Sequence, residues 1–189
     1  MDPGRTALRF VIGPLFVGHG TQKLFGWFGG HGPDGTGAFF EQLGLKPGKR
    51  HATAAGASET VGGALLTLGA LTPVAAGLIT GTMITAIRKV HAPKGPWATD
   101  RGYEYNLTLI AAMLALTETG PGRPSVDARV FPSFKGNGLA LAQFAAAAGA
   151  AAWLTSERVN TDDAPAPDDV EAPRRERFTR EQSEVPTAG

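Results

Sequence analysis

The chain contains no cysteine. Disulfides, thiolate metal sites and thiol chemistry by its own side chains are therefore excluded. Its four histidines, His19, His31, His51 and His91, are scattered without metal-ligand spacing. No nucleophile–base pair and no nucleic-acid signature appears. Gly30-His-Gly-Pro-Asp-Gly35 matches G-x-G-x-x-G, but it falls in an expected loop without a βαβ setting, so a dinucleotide site is not implied. The longest absence is of charge: residues 60–87, TVGGALLTLGALTPVAAGLITGTMITAI, carry none.

That run organises the rest. One helix of this length would extend about 42 Å, more than a hydrocarbon layer of about 30 Å requires. Thr72-Pro73 divides it, because proline ends one helix and suits the first turn of the next. Two antiparallel spans are expected, at 52–71 and 73–91. A soluble bundle would give each helix a charged face, yet Glu59 is the only ionisable group between Ala52 and Ile87. Further spans are expected at 6–28 and 103–120, and a fifth at 136–156, where Trp153 stands like an interfacial anchor. The segments 29–37, 91–102 and 120–125 are rich in glycine and proline and read as linkers. Asn106-Leu-Thr108 fits a glycosylation sequon but lies inside the fourth span. The N-terminus lacks a small-x-small cleavage site and reads as retained.

The formal net charge of +1 hides two unlike regions. Residues 1–154 hold 13 Lys/Arg against 8 Asp/Glu, and residues 155–189 hold 5 against 9. The tail mixes charge with Pro and Ala and has one aromatic residue, Phe178, a composition that does not form a core. Loops 29–51 and 88–102 carry seven Lys/Arg against five on the other side. The positive-inside rule then turns them toward the cytoplasm, and a fifth span brings the tail with them.

Ionisable groups inside such spans are costly and usually pair or line a site. Arg9, His19 and Lys23 fall within an arc of about 80° on one helix. Lys23 and Glu59 are expected about 7–10 Å below the same face, which predicts an ion pair. Arg88, Lys89, His91, Tyr103, Glu104 and Tyr105 gather toward that face. The cluster then either fixes helix register or forms a pocket for the head of a small amphiphile such as a quinone, or a docking patch for a protein.

Several blocks resemble the DoxX family of small four-helix membrane proteins, in its actinobacterial form. They are RFVIGPLFVGHGTQKLFGWFGG from Arg9, ASETVGGALLTLGALTP from Ala57, MITAIRKVH from Met83, GYEYNLTLIAAMLAL from Gly102 and GPGRPSVD from Gly120. The resemblance covers about residues 6–130. It draws attention to Arg9, Gly18, Lys23, Glu59, Gly62, Gly63, Met83, Glu104, Gly120, Gly122 and Asp127. Members of the family are similar to the small subunit of a thiosulfate:quinone oxidoreductase. A mycobacterial member is implicated in a membrane complex linking superoxide dismutase with a thiosulfate sulfurtransferase. The resemblance thus implies redox-associated work in the membrane.

The expectation is an all-α, integral membrane four-helix bundle with a fifth C-terminal transmembrane helix and a disordered tail. Residues 1–130 make the bundle, 131–156 a linker and the fifth helix, and 157–189 the tail. The site residues are Arg9, His19, Lys23, Glu59, Arg88, His91 and Glu104. No covalent cofactor or metal is expected, and quinone is the ligand to test. Expected partners are membrane lipid, soluble redox or sulfurtransferase enzymes and a second copy of the chain, without nucleic acid. The location is the cell membrane, crossed several times. The role is an anchor or assembly subunit of a redox or thiol-stress complex, with a quinone-interacting oxidoreductase subunit as the alternative.

Overall fold

The computed structural model describes residues 2–157 and 159, and all of its regular structure among these is helical. Five long helices, α1 (Pro3–Phe25), α3 (Gly48–Leu68), α4 (Thr72–Ala86), α5 (Glu104–Thr119) and α7 (Asn137–Leu154), are joined by shorter pieces that include α2 (Gly32–Gln42) and α6 (Asp127–Val130). The sequence punctuates them as expected. Pro3 and Pro73 occupy first turns, where a missing N–H costs nothing. Gly26 and Gly69 close α1 and α3. After Ala86 the chain widens into a π-helical turn, Ile87–His91.

α3 packs on α1, α2 and α4, and α4 on α3, α5 and α7, so α3 and α4 form the middle of the bundle. Ile12 and Phe16 of α1, Leu66 of α3, Ala75, Ala76 and Ile79 of α4 and Leu109, Met113 and Leu116 of α5 make one buried core. Along α1 and α3 the seam is made of glycine. A side chain at Gly20 would collide with Gly56 O and Thr60 N, both 2.6 Å away, and one at Gly63 with Val17 N at 2.8 Å. Gly13 meets Gly63 and Thr67 in the same way, one heptad from Gly20. The two backbones touch, the close approach that small residues permit between helices.

One end of the bundle is tied by two buried ionisable groups. Arg9, fully buried, donates to Thr67 O at 3.2 Å and to Pro124 O, supplying the end of α3 with a donor its own helix lacks. Asp127 accepts the N–H groups of Leu71 at 2.8 Å and Thr72 at 2.7 Å, capping α4 from outside. Gly69 fits between them because φ is +60° and a side chain there would strike the Arg9 guanidinium. The opposite end, where α1, α4 and α7 finish and α3 and α5 begin, is closed by Arg88 Nε donating to Thr155 Oγ1 at 2.9 Å.

Two expectations change. The segment expected as a loop at 29–37 is mostly helix, because Pro33 and Asp34 stand in the first turn of α2 and favour initiation. Among the described residues only α7 is long and apolar enough, by length and composition, to cross a membrane. α4 and α5 are 15 and 16 residues long, and the glycine and polar residues of α1 and α3 lower their hydropathy. The charged tail expected from residue 157 falls almost wholly outside the described residues.

Candidate functional site

The Lys23–Glu59 pair is present, with Nζ donating to Oε2 at 2.6 Å. Lys23 side chains on a helix lean toward the N-terminus, and here Nζ also reaches the His19 carbonyl at 3.3 Å, one turn back. The Glu59 side chain is 5 % exposed and the Lys23 side chain 22 %. The two partners sit differently from expectation: Lys23 is only two residues from the end of α1 at Phe25, whereas Glu59 is further into its helix. α3 begins at Gly48 rather than at residue 52, so Glu59 is eleven residues, or about 16 Å, from the start of its helix.

Lys23 and Glu59 form part of the wall of a cavity of about 310 Å³ between α2, α3, α4 and α7. Phe40, Leu43, Leu45, Leu78, Met83 and Leu154 supply much of its apolar lining. Gly77 and Gly81 open it on the α4 side, and Ala147, Ala150 and Ala151 on the α7 side, where small residues leave room. Ser58, Thr82, His51 and Lys89 complete the polar lining. His51 lies eight residues before Glu59, about 12 Å along the helix and about 80° around it. His51 was not among the expected site residues; its spacing from Glu59 on one helix is the signal that could have marked it, which metal-ligand spacing among the histidines does not.

The remaining expected residues do not join this cluster. Arg9 lies at the far end of the bundle, fourteen residues or about 21 Å along α1 from Lys23, with Asp127 as its charged neighbour. A shared arc on a helix does not set a shared depth. His19 turns outward and pairs through Nδ1 with Gln22 Oε1 at 3.1 Å. Arg88 is taken by Thr155. His91 Nδ1 bonds the Arg101 carbonyl at 2.7 Å, and Glu104 accepts the Ala98 N–H at 3.0 Å, so both stitch the 92–103 connection locally. Asn106, the sequon residue, is buried and donates to Met83 Sδ at 3.3 Å. Among the described residues no group of three His, Cys, Asp or Glu is placed to hold a metal.

Comparison with known proteins matches the DoxX family model to residues 4–92, which carry α1 to α4 and the π-helical turn. The chain is 33 % identical over 114 residues to a Bacillus subtilis protein named "Putative oxidoreductase CatD", covering 60 % of this chain and 78 % of that one. It belongs to the DoxX family. A second DoxX relative, named an "Uncharacterized membrane protein" of Mycobacterium tuberculosis, is 28 % identical over 139 residues, covering 68 % of this chain and 82 % of its own. No solved structure matches significantly. The DoxX relationship makes the chain a membrane protein, and the family match contains every residue of the Lys23–Glu59 wall on α1, α3 and α4, whereas α7 lies beyond it.

Proposed function

We propose that this DoxX protein is a multi-pass subunit of a membrane redox system and that its cavity receives the ring head of a quinone-class amphiphile. The observation that carries the reading is the cavity itself: an apolar chamber of about 310 Å³ with one buried ion pair in its wall. Small-ligand pockets of roughly 300–1,000 Å³ combine apolar walls with a few placed polar groups in this way. Lys23 Nζ is the donor for a quinone oxygen and Glu59 the acceptor for a hydroxyl, so the residues present fit the group. A bound quinone supplies reversible two-electron, two-proton chemistry. The chain supplies orientation, exclusion of water and, in Glu59, a carboxylate in the wall that can accept a proton.

Multi-pass insertion is supported by the outside of the bundle. Val11 and Leu15 of α1, Val61 and Leu68 of α3 and Leu141 of α7 are all exposed, Leu141 to 69 %. All three tryptophans, Trp27, Trp97 and Trp153, are exposed at the same end, as at a membrane interface. Packed together, α1, α3, α4 and α5 bury Arg9, Thr21, Glu59, Thr80, Asn106 and Thr117, so helices too short or too polar to insert singly present a more apolar exterior as a group. The test is mass spectrometry of lipid extracts from natively purified protein and from Lys23→Ala/Glu59→Ala protein of matched abundance. Quinone retained by the first and lost from the second is the expected outcome; equal quinone in both overturns the reading.

A second reading, an anchor or assembly subunit for soluble redox or sulfurtransferase enzymes, is favoured by the absence of cysteine and by basic loops at the tryptophan-bearing end. Soluble enzymes that co-purify without quinone would select it.

A further inference from the structure

The cavity wall holds three basic residues, Lys23, His51 and Lys89, and one acidic residue, Glu59. Glu59 is matched to Lys23. Lys89 and His51 are left, and among the described residues neither has a hydrogen-bond or ion-pair partner. Both are half-buried at the end of the cavity where α3 begins and α4 finishes, its mouth toward the tryptophan-bearing end of the bundle. His51 is three residues from the start of α3, and Lys89 lies in the π-helical turn after α4. Lys89 Nζ hangs beside Gly44, 3.9 Å from where a side-chain carbon there would be. Leu43, Leu45, Val90 and Leu154 surround this opening with apolar side chains.

A lysine ammonium and an imidazole N–H beside apolar side chains at the interfacial end of a membrane protein match one ligand chemistry. We propose that Lys89 and His51 hold the phosphate of an anionic phospholipid at the mouth of the cavity. Basic pockets between helices at the membrane surface take anionic head groups because the phosphate meets cations while the acyl chains stay on apolar surface. A zwitterionic lipid brings its own positive charge to Lys89 and loses that preference. Of the other cations at this end, Lys49 pairs with Asp34 at 2.7 Å and Arg88 donates to the Thr155 hydroxyl, and none of Arg88, Arg50 and Lys94 lines the cavity. The inference rests on membrane residence but not on quinone binding, since the mouth is about 12 Å along α3 from Glu59.

The experiment is native mass spectrometry of the full-length, delipidated protein titrated with phosphatidylglycerol or phosphatidylcholine of identical chains. Each cation near an anionic lipid surface is worth about fivefold in binding. The wild type should prefer phosphatidylglycerol by at least about fivefold, and Lys89→Gln and Lys89→Gln/His51→Gln should abolish the preference. Lys94→Gln, outside the cavity, should retain it, and far-ultraviolet circular dichroism should show all variants folded. Equal binding of both lipids by the wild type, or a preference unchanged in Lys89→Gln/His51→Gln, overturns the proposal. So does a Lys94→Gln effect as large as that of Lys89→Gln, which would mean nonspecific surface attraction. Full displacement of phosphatidylglycerol by millimolar inorganic phosphate would assign the site to free oxyanions instead. Quinone retention by Lys89→Gln keeps the two cavity readings separate.

Discussion

Lys23 reaches Glu59 by running back along its own helix, and this reach sets the consequence of losing either partner. A buried charge deprived of its partner typically costs about 3–5 kcal/mol, whereas removing both is much cheaper. Lys23→Ala should therefore lower stability by about 3 kcal/mol, and Lys23→Ala/Glu59→Ala by clearly less than the sum of the single variants. Thermal unfolding in one detergent measures the cycle; strict additivity would show that the pair is not coupled. At the far end, the Asp2 carboxyl is held below its ordinary range, first by the Arg123 N–H and then by Arg5. A lowered folded pKa means that this tether contributes fully above the unfolded value and is lost as pH falls through the folded one. Carbon-13 titration of the Asp2 carboxyl should show a midpoint below the usual carboxylate range, and one at or above it would contradict the tether.

Between helices, the glycines separate into those that permit contact and those that do not need to be glycine. Gly63→Ala forces a side-chain carbon to within 2.9 Å of Phe16 Cβ as well as against the α1 backbone, and overpacking of this kind costs about 1–3 kcal/mol. Gly18 has nothing within 4 Å of an added carbon, so Gly18→Ala should be neutral or stabilise by up to about 1 kcal/mol through helix propensity. Comparing the two melting temperatures tests the seam, and an equal response at both sites would refute it. Gly77 and Gly81, by contrast, meet α7 at ordinary distances of 3.7 Å or more. Capping works at the same scale. Asp127→Ala strips two acceptors from the start of α4 and should cost about 1–2 kcal/mol, read as earlier hydrogen exchange at Leu71 and Thr72.

For the whole molecule, the alternation of α1, α3, α4, α5 and α7 sends the 92–103 connection and the 131–135 segment to opposite ends. Thr99 and Ser133 are exposed there. With the basic loops inside the cell, a cysteine at Ser133 should react with an impermeant label in intact cells and one at Thr99 only after lysis. Labelling of both in intact cells would mean that α5 does not span the membrane. Reaction at Thr99 alone would invert the orientation drawn from a margin of seven basic residues against five.

The helices, the break at Thr72-Pro73 and the Lys23–Glu59 partnership were legible in the sequence, because uncharged runs, proline and isolated ionisable groups act over a few residues or a simple antiparallel register. α2 was not, since its glycines resemble a linker until Pro33 and Asp34 are seen to start a helix that packs on α3. Nor was the dispersal of Arg9, Arg88, His91 and Glu104, which found partners in loop carbonyls, a loop N–H and a threonine hydroxyl whose positions only folding determines. The cavity also belongs to the tertiary structure. It exists because α7, outside the family match, lays its alanines beside Gly77 and Gly81 of α4, and a void depends on how two surfaces fail to fill each other rather than on either surface alone.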